Sequence, residues 1–518
     1  MAHDTPQLAA KARSLQLFGA LFLGFFLLIL LPILRADRYC NDDILRALDG
    51  NWGWNTDGRL FTNFLMRLLE FGAVRVVDIA PLPQLLAIAV LACFGVLVAR
   101  RYRIDSVPIA ALIAFPMAAQ PFFLHNLSFR FDAFCMALAM LCAFLPLLSS
   151  TLTVRAWAVG AACLLACLNL YQPAIGVFLV FALLETIAEP APEQTWGATS
   201  RRFVGRMLQC AAALLAYRLF FAASFKGWLK DRSEVAPLTE VPHTLFANAQ
   251  GFGHVFASSF SARWFEIFVP LLLIALAAIV VLSVCARGTP ARRMMAAAYA
   301  VVLVPAMLLA ACGPMLLLRH PVYAPRVMVG FGAVLCAALI AMHGALRGHR
   351  HARGLQYFIA GALALAMSVH AAVLGNAAAA QKDYEAAIAG HLADDLAELA
   401  QRQSVGRYLI LGSAGLAPTA AHAAEQFPLL QVLVPTYLDE HEVWRHHYLR
   451  LFLPPIEDAA FPDGAVDASL ALRSCAHAPT LVRSAYQLSV VDDVAIVRFK
   501  SAFCSEPARA ADVASPAT

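Results

Sequence analysis

The stretch "LQLFGALFLGFFLLILLPIL" (residues 15–34) decides the fold class of this chain. It carries no charged residue, and an apolar run of about 20 residues is long enough to cross the hydrocarbon core of a bilayer as a helix. It is too long for a signal peptide and lacks a small-residue cleavage site. Lys11 and Arg13 precede it. We therefore expect a retained first span with its N-terminus in the cytoplasm.

The composition extends this expectation to most of the chain. The protein has 518 residues, of which 61% are hydrophobic and 14% charged. A soluble domain does not carry so much apolar surface, so a polytopic membrane protein is predicted. The net charge of +5 arises from short Lys and Arg clusters between apolar runs. That is the pattern that orients membrane helices, and it predicts no nucleic-acid partner.

Apolar runs of spanning length recur along the chain. Residues 155–188 are ambiguous, because "NLYQP" (169–173) interrupts them and either one long span or two short ones would fit. All the arginine-rich loops can lie in the cytoplasm only if residues 155–188 cross the membrane twice. We therefore predict about eleven spans, with the C-terminus outside. The other runs are 15–34, 82–99, 107–119, 131–149, 204–223, 265–285, 295–312, 327–346 and 355–374.

Two domains are predicted. Residues 1–375 form the transmembrane domain, whose outer loop 35–81 carries an amphipathic helix at 57–71 that lies in the membrane interface. Residues 376–518 are less apolar and are predicted to form an α/β domain in the periplasm. In that domain "RYLILG" (407–412) and "LLQVLV" (429–434) are interpreted as buried strands, and "YQLSVVDDVAIVRFK" (486–500) as a hairpin.

The segment after the first span, "YCNDDILRALDGNWGWNTDGR" (39–59), is unusually rich in charge. A structural interpretation is available, in which Asn41 caps a helix, carboxylates and arginines pair along it, and tryptophans lie at the interface. Ionisable groups at membrane depth also mark functional cavities, so a functional interpretation competes with it. The candidate residues of this segment are Asp42, Asp43, Arg46, Trp54, Asp57 and Arg59.

Three further polar clusters fall on the same predicted outer side. They are "HNLSFRFDAF" (125–134), "LNLYQP" (168–173) and "LRHPVYAPRVMVG" (318–330). Each has a local structural explanation, but four clusters on one side favour a site for a phosphorylated lipid and a hydroxyl acceptor. Their candidate residues are Arg130, Asp132, Tyr171, Gln172, Arg319, His320 and Arg326.

Most cysteines lie inside apolar runs, and no CxxC pair exists. The histidines of "HEVWRH" (441–446) are five residues apart, so they do not share a helix face as the zinc-protease motif requires. No metal-ligating residues are therefore predicted. Cys475 and Cys504 lie in the predicted periplasmic domain, where a disulfide between them is expected; two unpaired thiols are the alternative.

Several blocks resemble the bacterial serotype-converting O-antigen glucosyltransferases (Gtr type II). They are "NDDILRAL", "WGWNTDGRLFTNFLMRLLEFG", "VDIAPLPQLLAIAVL", "NLSFRFDAFCMALA", "LYQPAIGVFL", "APRVMVGFG" and "VLVPTYL". The resemblance implies a GT-C type glycosyltransferase of the bacterial inner membrane. Such an enzyme moves a sugar, here glucose, from a polyprenyl phosphate to a glycan such as O-antigen on the periplasmic face. "SFRFD" departs from the family's pattern at Arg130.

The resemblance also implies roles for residues. Asp42, Asp43 and Asp132 would be the catalytic carboxylates. From the charges of the outer clusters themselves, we predict that the phosphate of the donor is bound by cationic residues, namely Arg59, Arg319, His320 and Arg326. The remaining candidates would contact the substrates, and these are Arg46, Trp54, Asp57, Arg130, Tyr171 and Gln172.

The predicted partners are the lipid-linked sugar, the glycan acceptor and the bilayer, with a polyprenyl-phosphate glucosyltransferase and a flippase supplying the donor. No particular cofactor is predicted, and a divalent metal is left open. The alternatives are a lipid-linked sugar transporter, or flippase, and a non-catalytic membrane protein of glycan assembly. A transporter would need charged groups deep within its spans and access to both sides.

Overall fold

The computed structural model describes residues 5–188, 196–221, 230–231, 233–285, 290–346, 352–452, 456–460, 468–476, 478–502 and 504. The chain forms two compact units. The first comprises Met1–Arg35, Gly50–Gly375 and Gln426–Leu429, and the second Ala36–Asp49, Asn376–Glu425 and Leu430–Thr518. The division after Gly375 falls where the composition changes. Residues 36–49, however, were expected in the transmembrane domain and belong to the second unit.

The first unit is helical. Its helices are Thr5–Phe25, Leu31–Ala36, Leu60–Leu69, Leu82–Arg101, Val107–Ala114, Pro116–Ala119, Pro121–Ser128, Ala133–Phe144, Val154–Leu170, Ile175–Ala188, Trp196–Phe220, Val241–Ser259, Ala262–Cys285, Pro290–Ala311, Gly330–Leu346 and the first part of Ala352–Gln403. A π-helical segment, Phe26–Leu30, joins the first two.

Within the described residues, four helices are long and apolar enough to cross a membrane, or up to six if each of two bent pairs is one span. They are compatible with a membrane protein, but the finer prediction of about eleven spans is not established. The physical reason is visible at residues 107–128. Pro116 and Pro121 lack an amide hydrogen, and the helices on either side of Gln120 are bent by 62°. Such breaks divide long apolar runs into short helices.

The ambiguous region 155–188 contains two helices, Val154–Leu170 and Ile175–Ala188. A short 3₁₀ turn, Gln172–Ala174, separates them. Pro173 cannot donate to the preceding turn, so the first helix cannot continue through it. The region therefore forms two short helices rather than one long one, and that each of them crosses the membrane stays a prediction.

The predicted helix within 57–71 is present as Leu60–Leu69. Thr62 and Asn63 are buried, whereas Phe64 and Leu68 are 66% and 65% exposed. Polar side chains thus face the protein and apolar side chains face outward. This inverted pattern is the one expected of a helix in contact with lipid.

The second unit contains a five-stranded sheet in the order β2-β1-β5-β4-β3. The strands are β1 (Arg407–Leu411), β2 (Glu457–Asp458), β3 (Leu481–Val482), β4 (Tyr486–Val491) and β5 (Val494–Phe499). Strand β1 is parallel to β2 and β5, and the other pairs are antiparallel. The predicted hairpin is confirmed, with Val491 opposite Val494. The helices of this unit are Asp43–Asp49, the end of Ala352–Gln403, Pro418–Gln426, Leu430–Leu433, Arg445–Leu449 and Ala468–Cys475.

One predicted strand is wrong. The segment "LLQVLV" contains the short helix Leu430–Leu433. Leu430, Leu433 and Val434 are buried, whereas Val432 is 52% exposed. This spacing of three and four residues is that of a helix, and a short apolar run does not distinguish it from a strand.

A disulfide joins Cys475 to Cys504, with the two Cα atoms 5.6 Å apart. It ties the end of the helix Ala468–Cys475 to the chain that follows β5. The bridge therefore closes a loop that contains β3 and the β4–β5 hairpin.

Candidate active site

Asp132 lies in the interior of the first unit, immediately before the helix Ala133–Phe144. It is only 2% exposed. The indole Nε1 of Trp54 donates a hydrogen bond to its carboxylate, and Nη1 of Arg59 lies 4.0 Å from the same oxygen. Trp54 is itself fully buried. A buried carboxylate is thus held by an indole and a guanidinium that come from the segment 50–59.

Tyr171, at the break between two helices, connects this carboxylate group to the segment 318–330. The guanidinium of Arg59 lies over its ring, 4.9 Å from the ring centroid. The Tyr171 hydroxyl donates to the carbonyl of Arg326 at 2.7 Å, and the amide of Asn126 donates to the same carbonyl at 3.2 Å. The clusters 125–134, 168–173 and 318–330 therefore meet in the first unit, together with residues 50–59 of the fourth cluster.

The guanidinium of Arg326 faces the ring of Phe129, with Cζ 5.7 Å from the centroid. Within the part of the chain that the structure describes, it makes no hydrogen bond or ion pair. An arginine without an internal anion can give its charge and its planar donors to a ligand phosphate.

Gln172 has a positioning role in this unit. Its amide donates to the backbone carbonyl of Asp57 at 2.9 Å and to the hydroxyl of Tyr217 at 2.8 Å. The Tyr217 hydroxyl in turn donates to the carbonyl of Gly58 at 3.1 Å. The backbone on the N-terminal side of Arg59 is thereby fixed from the 3₁₀ turn Gln172–Ala174 and from the helix Trp196–Phe220.

Arg319 departs from its predicted role. Its guanidinium pairs with Glu234 at 2.7 Å and with Glu240 at 3.2 Å. Two carboxylates already neutralise this arginine, so a phosphate would have to displace them. His320, beside it, is exposed. Arg130, expected to contact substrate, pairs with Asp78 at 3.2 Å. Of the cationic candidates in 318–330, the geometry favours Arg326 alone.

The acidic pair lies in the second unit. Asp43 is fully buried, and its Oδ2 accepts a hydrogen bond from the backbone N–H of Cys40 at 3.3 Å. The side chain of Asp42 is 30% exposed and forms an ion pair with Arg46 one helical turn later. The two adjacent carboxylates are therefore not equivalent: Asp43 is buried and supports the local backbone, whereas Asp42 is partly exposed.

Sequence reasoning missed Asn126, Phe129 and Tyr217. Tyr217 lies in an apolar run interpreted only as a span, and its hydroxyl was the available signal, because polar groups inside such runs are costly and usually have a partner. Asn126 and Phe129 belong to a quoted cluster but were not singled out. Phe129 also stacks on His125, with ring centroids 5.4 Å apart.

Within the described residues, no group of three or more His, Cys, Asp or Glu side chains is arranged to hold a metal ion. The carboxylates considered above are instead engaged by arginines, an indole or a backbone amide.

A family model described as glucosyl transferase GtrII matches residues 31–337, which include the acidic pair, Asp132 and Arg326. The chain belongs to the GtrII family. The resemblance noted from the sequence is therefore confirmed, and glycosyl transfer is the activity that this membership supports. The match ends before the segment that forms most of the second unit.

A relative of this GtrII protein is an uncharacterized 55.3 kDa protein in the gtrB 5' region of Salmonella phage P22. The two are 22% identical over 445 residues, which cover 83% of this chain and 88% of the phage protein. The similarity therefore extends beyond the region of the family match. No solved structure matches the chain significantly.

Proposed function

We propose that this GtrII protein is a GT-C type glycosyltransferase that moves glucose from a polyprenyl-phosphate donor to a cell-surface glycan such as O-antigen. Transfer takes place on the periplasmic face of the bacterial inner membrane, with the N-terminus in the cytoplasm and the second unit in the periplasm. Family membership supports the transfer of glucose. The observation that supports the choice of donor is the guanidinium of Arg326: among the residues that the structure describes it pairs with no carboxylate, whereas Arg319 pairs with two.

The donor follows from where the reaction takes place. Nucleotide sugars are not available outside the inner membrane, so an outward-facing enzyme needs a lipid-linked sugar. A polyprenyl-phosphate glucosyltransferase on the cytoplasmic side and a flippase are therefore the partners of this proposal. A lipid-linked donor also agrees with a chain that is 61% hydrophobic, because both the lipid tail and the protein lie in the membrane.

The reaction is a displacement at the anomeric carbon. The acceptor hydroxyl oxygen forms the new bond, the bond from the anomeric carbon to the phosphate oxygen breaks, and the lipid phosphate leaves with the electron pair. Arg326 and Arg59 stabilise the charge on this leaving group. Asp42 accepts the proton of the attacking hydroxyl. A single displacement inverts the anomeric configuration.

The test is transfer by the purified protein in lipid vesicles, with polyprenyl-phosphate glucose and O-antigen as substrates. The proposal expects one hexose added per acceptor repeat, with no product when a nucleotide sugar replaces the lipid donor. Asp42→Asn should lower transfer by roughly 10²–10⁴ while the protein still accumulates. An equal rate of transfer from the nucleotide sugar would contradict the proposed donor. A wild-type rate in Asp42→Asn would contradict the role of Asp42 as the base.

Gene deletion separates the transferase from a transporter in cells. Loss of the transferase removes a single hexose per repeat and leaves the polymer in place. Loss of a transporter for the repeat unit removes the whole polymer. Mass analysis of the surface glycan distinguishes the two results.

A further inference from the structure

The loop that carries Asp42 is held by the second unit through a buried ion pair. Nη2 of Arg38 donates to Oε2 of Glu385 at 2.7 Å and to the carbonyl of Pro435 at 2.5 Å. The side chain of Glu385 is fully buried and that of Arg38 is 9% exposed. The other carboxylate oxygen of Glu385 accepts from the backbone N–H groups of Tyr437 and Leu438 at 2.5 and 3.2 Å. Removing one partner of such a pair leaves a buried charge uncompensated.

Tyr437 makes the second connection. Its hydroxyl donates to the carbonyl of Tyr39 at 3.0 Å and accepts from the N–H of Asn41 at 2.8 Å. The guanidinium of Arg38 lies over its ring, 4.6 Å from the centroid. One buried hydroxyl thus bonds to the backbone on both sides of Cys40, two residues before Asp42.

The backbone at Asn41 requires such support. Its φ is +49°, in the left-handed region that non-glycine residues seldom adopt, although asparagine tolerates it better than most. Asn41 immediately precedes Asp42, so its conformation sets the direction in which the Asp42 side chain leaves the backbone. After this turn, Ile44 of the helix Asp43–Asp49 enters the hydrophobic core of the second unit.

We propose that Glu385 and Tyr437 are positioning residues for glycosyl transfer, because they fix the turn that aims the Asp42 carboxylate. This inference rests on the proposed role of Asp42 as the base. Both residues lie outside 31–337, the region that the family match covers. Transfer by this protein therefore depends on its second unit for the geometry of the acidic loop, in addition to any contact that unit makes with the acceptor.

The matched pair of variants is Tyr437→Phe and Tyr384→Phe in the full-length protein in lipid vesicles. Tyr384 precedes Glu385 on the same helix, but its hydroxyl donates to the carbonyl of Ala414 at 3.1 Å and not to the loop. Transfer kinetics are measured with polyprenyl-phosphate glucose. Hydrogen exchange is followed in peptides covering 36–49 and 486–499.

Tyr437→Phe should lower kcat about tenfold or more, with the KM for the donor unchanged, because the loss of two hydrogen bonds frees the turn without touching the donor. Exchange should rise in 36–49 and stay unchanged in 486–499. Tyr384→Phe should leave kcat and exchange in 36–49 as in the wild type. A purely structural role would instead raise exchange in both peptides.

Unchanged exchange in 36–49 would overturn the anchoring of the loop by Tyr437. The positioning role would be overturned if Tyr437→Phe raised exchange in 36–49 but kept the wild-type kcat, while Asp42→Asn abolished transfer. A wild-type rate in Asp42→Asn would refute the base assignment and the kinetic half of the inference, and the exchange result would still decide the anchoring. If Tyr437→Phe does not accumulate, Glu385→Gln, which keeps the side-chain shape but not the charge, is judged by the same measurements.

Discussion

The guanidinium of Arg59 stacks over the ring of Tyr171, with its Cζ 4.9 Å from the ring centroid. This contact joins the segment after the first span to the break between the helices Val154–Leu170 and Ile175–Ala188. The same guanidinium lies 4.0 Å from Asp132. Arg59 is therefore held by an aromatic face and a carboxylate at once.

Arg59→Lys should lower transfer by about tenfold or more, because a lysine ammonium cannot reproduce the planar stack or the directed donors of a guanidinium. Steady-state transfer from polyprenyl-phosphate glucose measures the effect. Arg67→Lys is the matched control, since Arg67 also stacks on an aromatic ring, that of Trp52, at 4.8 Å. Equal losses in the two variants would show that Arg59 has no special role.

Arg326→Ala and Arg319→Ala should have different effects on transfer, although the two arginines lie only seven residues apart on one loop. Arg326→Ala should raise the KM for the donor, because its guanidinium is available to the phosphate. Arg319→Ala breaks exposed ion pairs with Glu234 and Glu240, which add little stability because solvent screens them. It should alter transfer little. A larger rise in KM for Arg319→Ala would restore the role that the sequence predicted.

Replacing Cys475 and Cys504 by serine should lower the stability of the second unit. The bridge spans a sequence separation of 29, and the chain-entropy estimate for a loop of that size is about 3–4 kcal/mol. Hydrogen exchange of the β4–β5 hairpin reports the loss in the full-length protein. Thiol labelling of the denatured wild type with and without reductant is the control: labelling of both cysteines without reductant would contradict the bridge.

His446 and His447 should make the second unit lose stability as the pH falls below neutrality. Burial lowers the pKa of His446, whose Nδ1 lies 3.1 Å from the Tyr408 hydroxyl. Burial, and then the charge of His446, lower the pKa of His447. In the unfolded chain both imidazoles regain an ordinary pKa of about 6.5. Between the unfolded and folded values the unfolded state binds more protons, so stability is present above pH of about 6.5 and is lost below it.

Exchange of the peptide 486–499 between pH 8 and 5, corrected for intrinsic rates, measures this loss. His446→Asn combined with His447→Asn removes both titrating groups and should flatten the dependence. His422→Asn is the control, because the side chain of His422 is 80% exposed. An equally steep dependence in the double variant would assign the effect to other groups.

The features that depend on local pattern were predictable from the amino-acid sequence alone. An apolar run of about 20 residues forms a helix wherever it lies, since its backbone must satisfy its own hydrogen bonds. Pro173 breaks the helix that contains residues 155–170 because it lacks an amide hydrogen. Alternation on either side of Asp492 and Asp493 forms a hairpin because strand side chains repeat every two residues. Each result follows from neighbours within a few residues.

Which charged groups are available for chemistry depends on contacts between distant parts of the chain. Arg319 and Arg326 look alike in sequence, but the carboxylates that neutralise Arg319 come from residues 234 and 240, more than seventy positions away. Asp42 and Asp43 are adjacent, yet one is partly exposed and the other fully buried. The loop that carries them is bonded to Glu385 and Tyr437 near the other end of the chain. Availability depends on partners brought close by folding, and local sequence patterns contain no information about those distant partners.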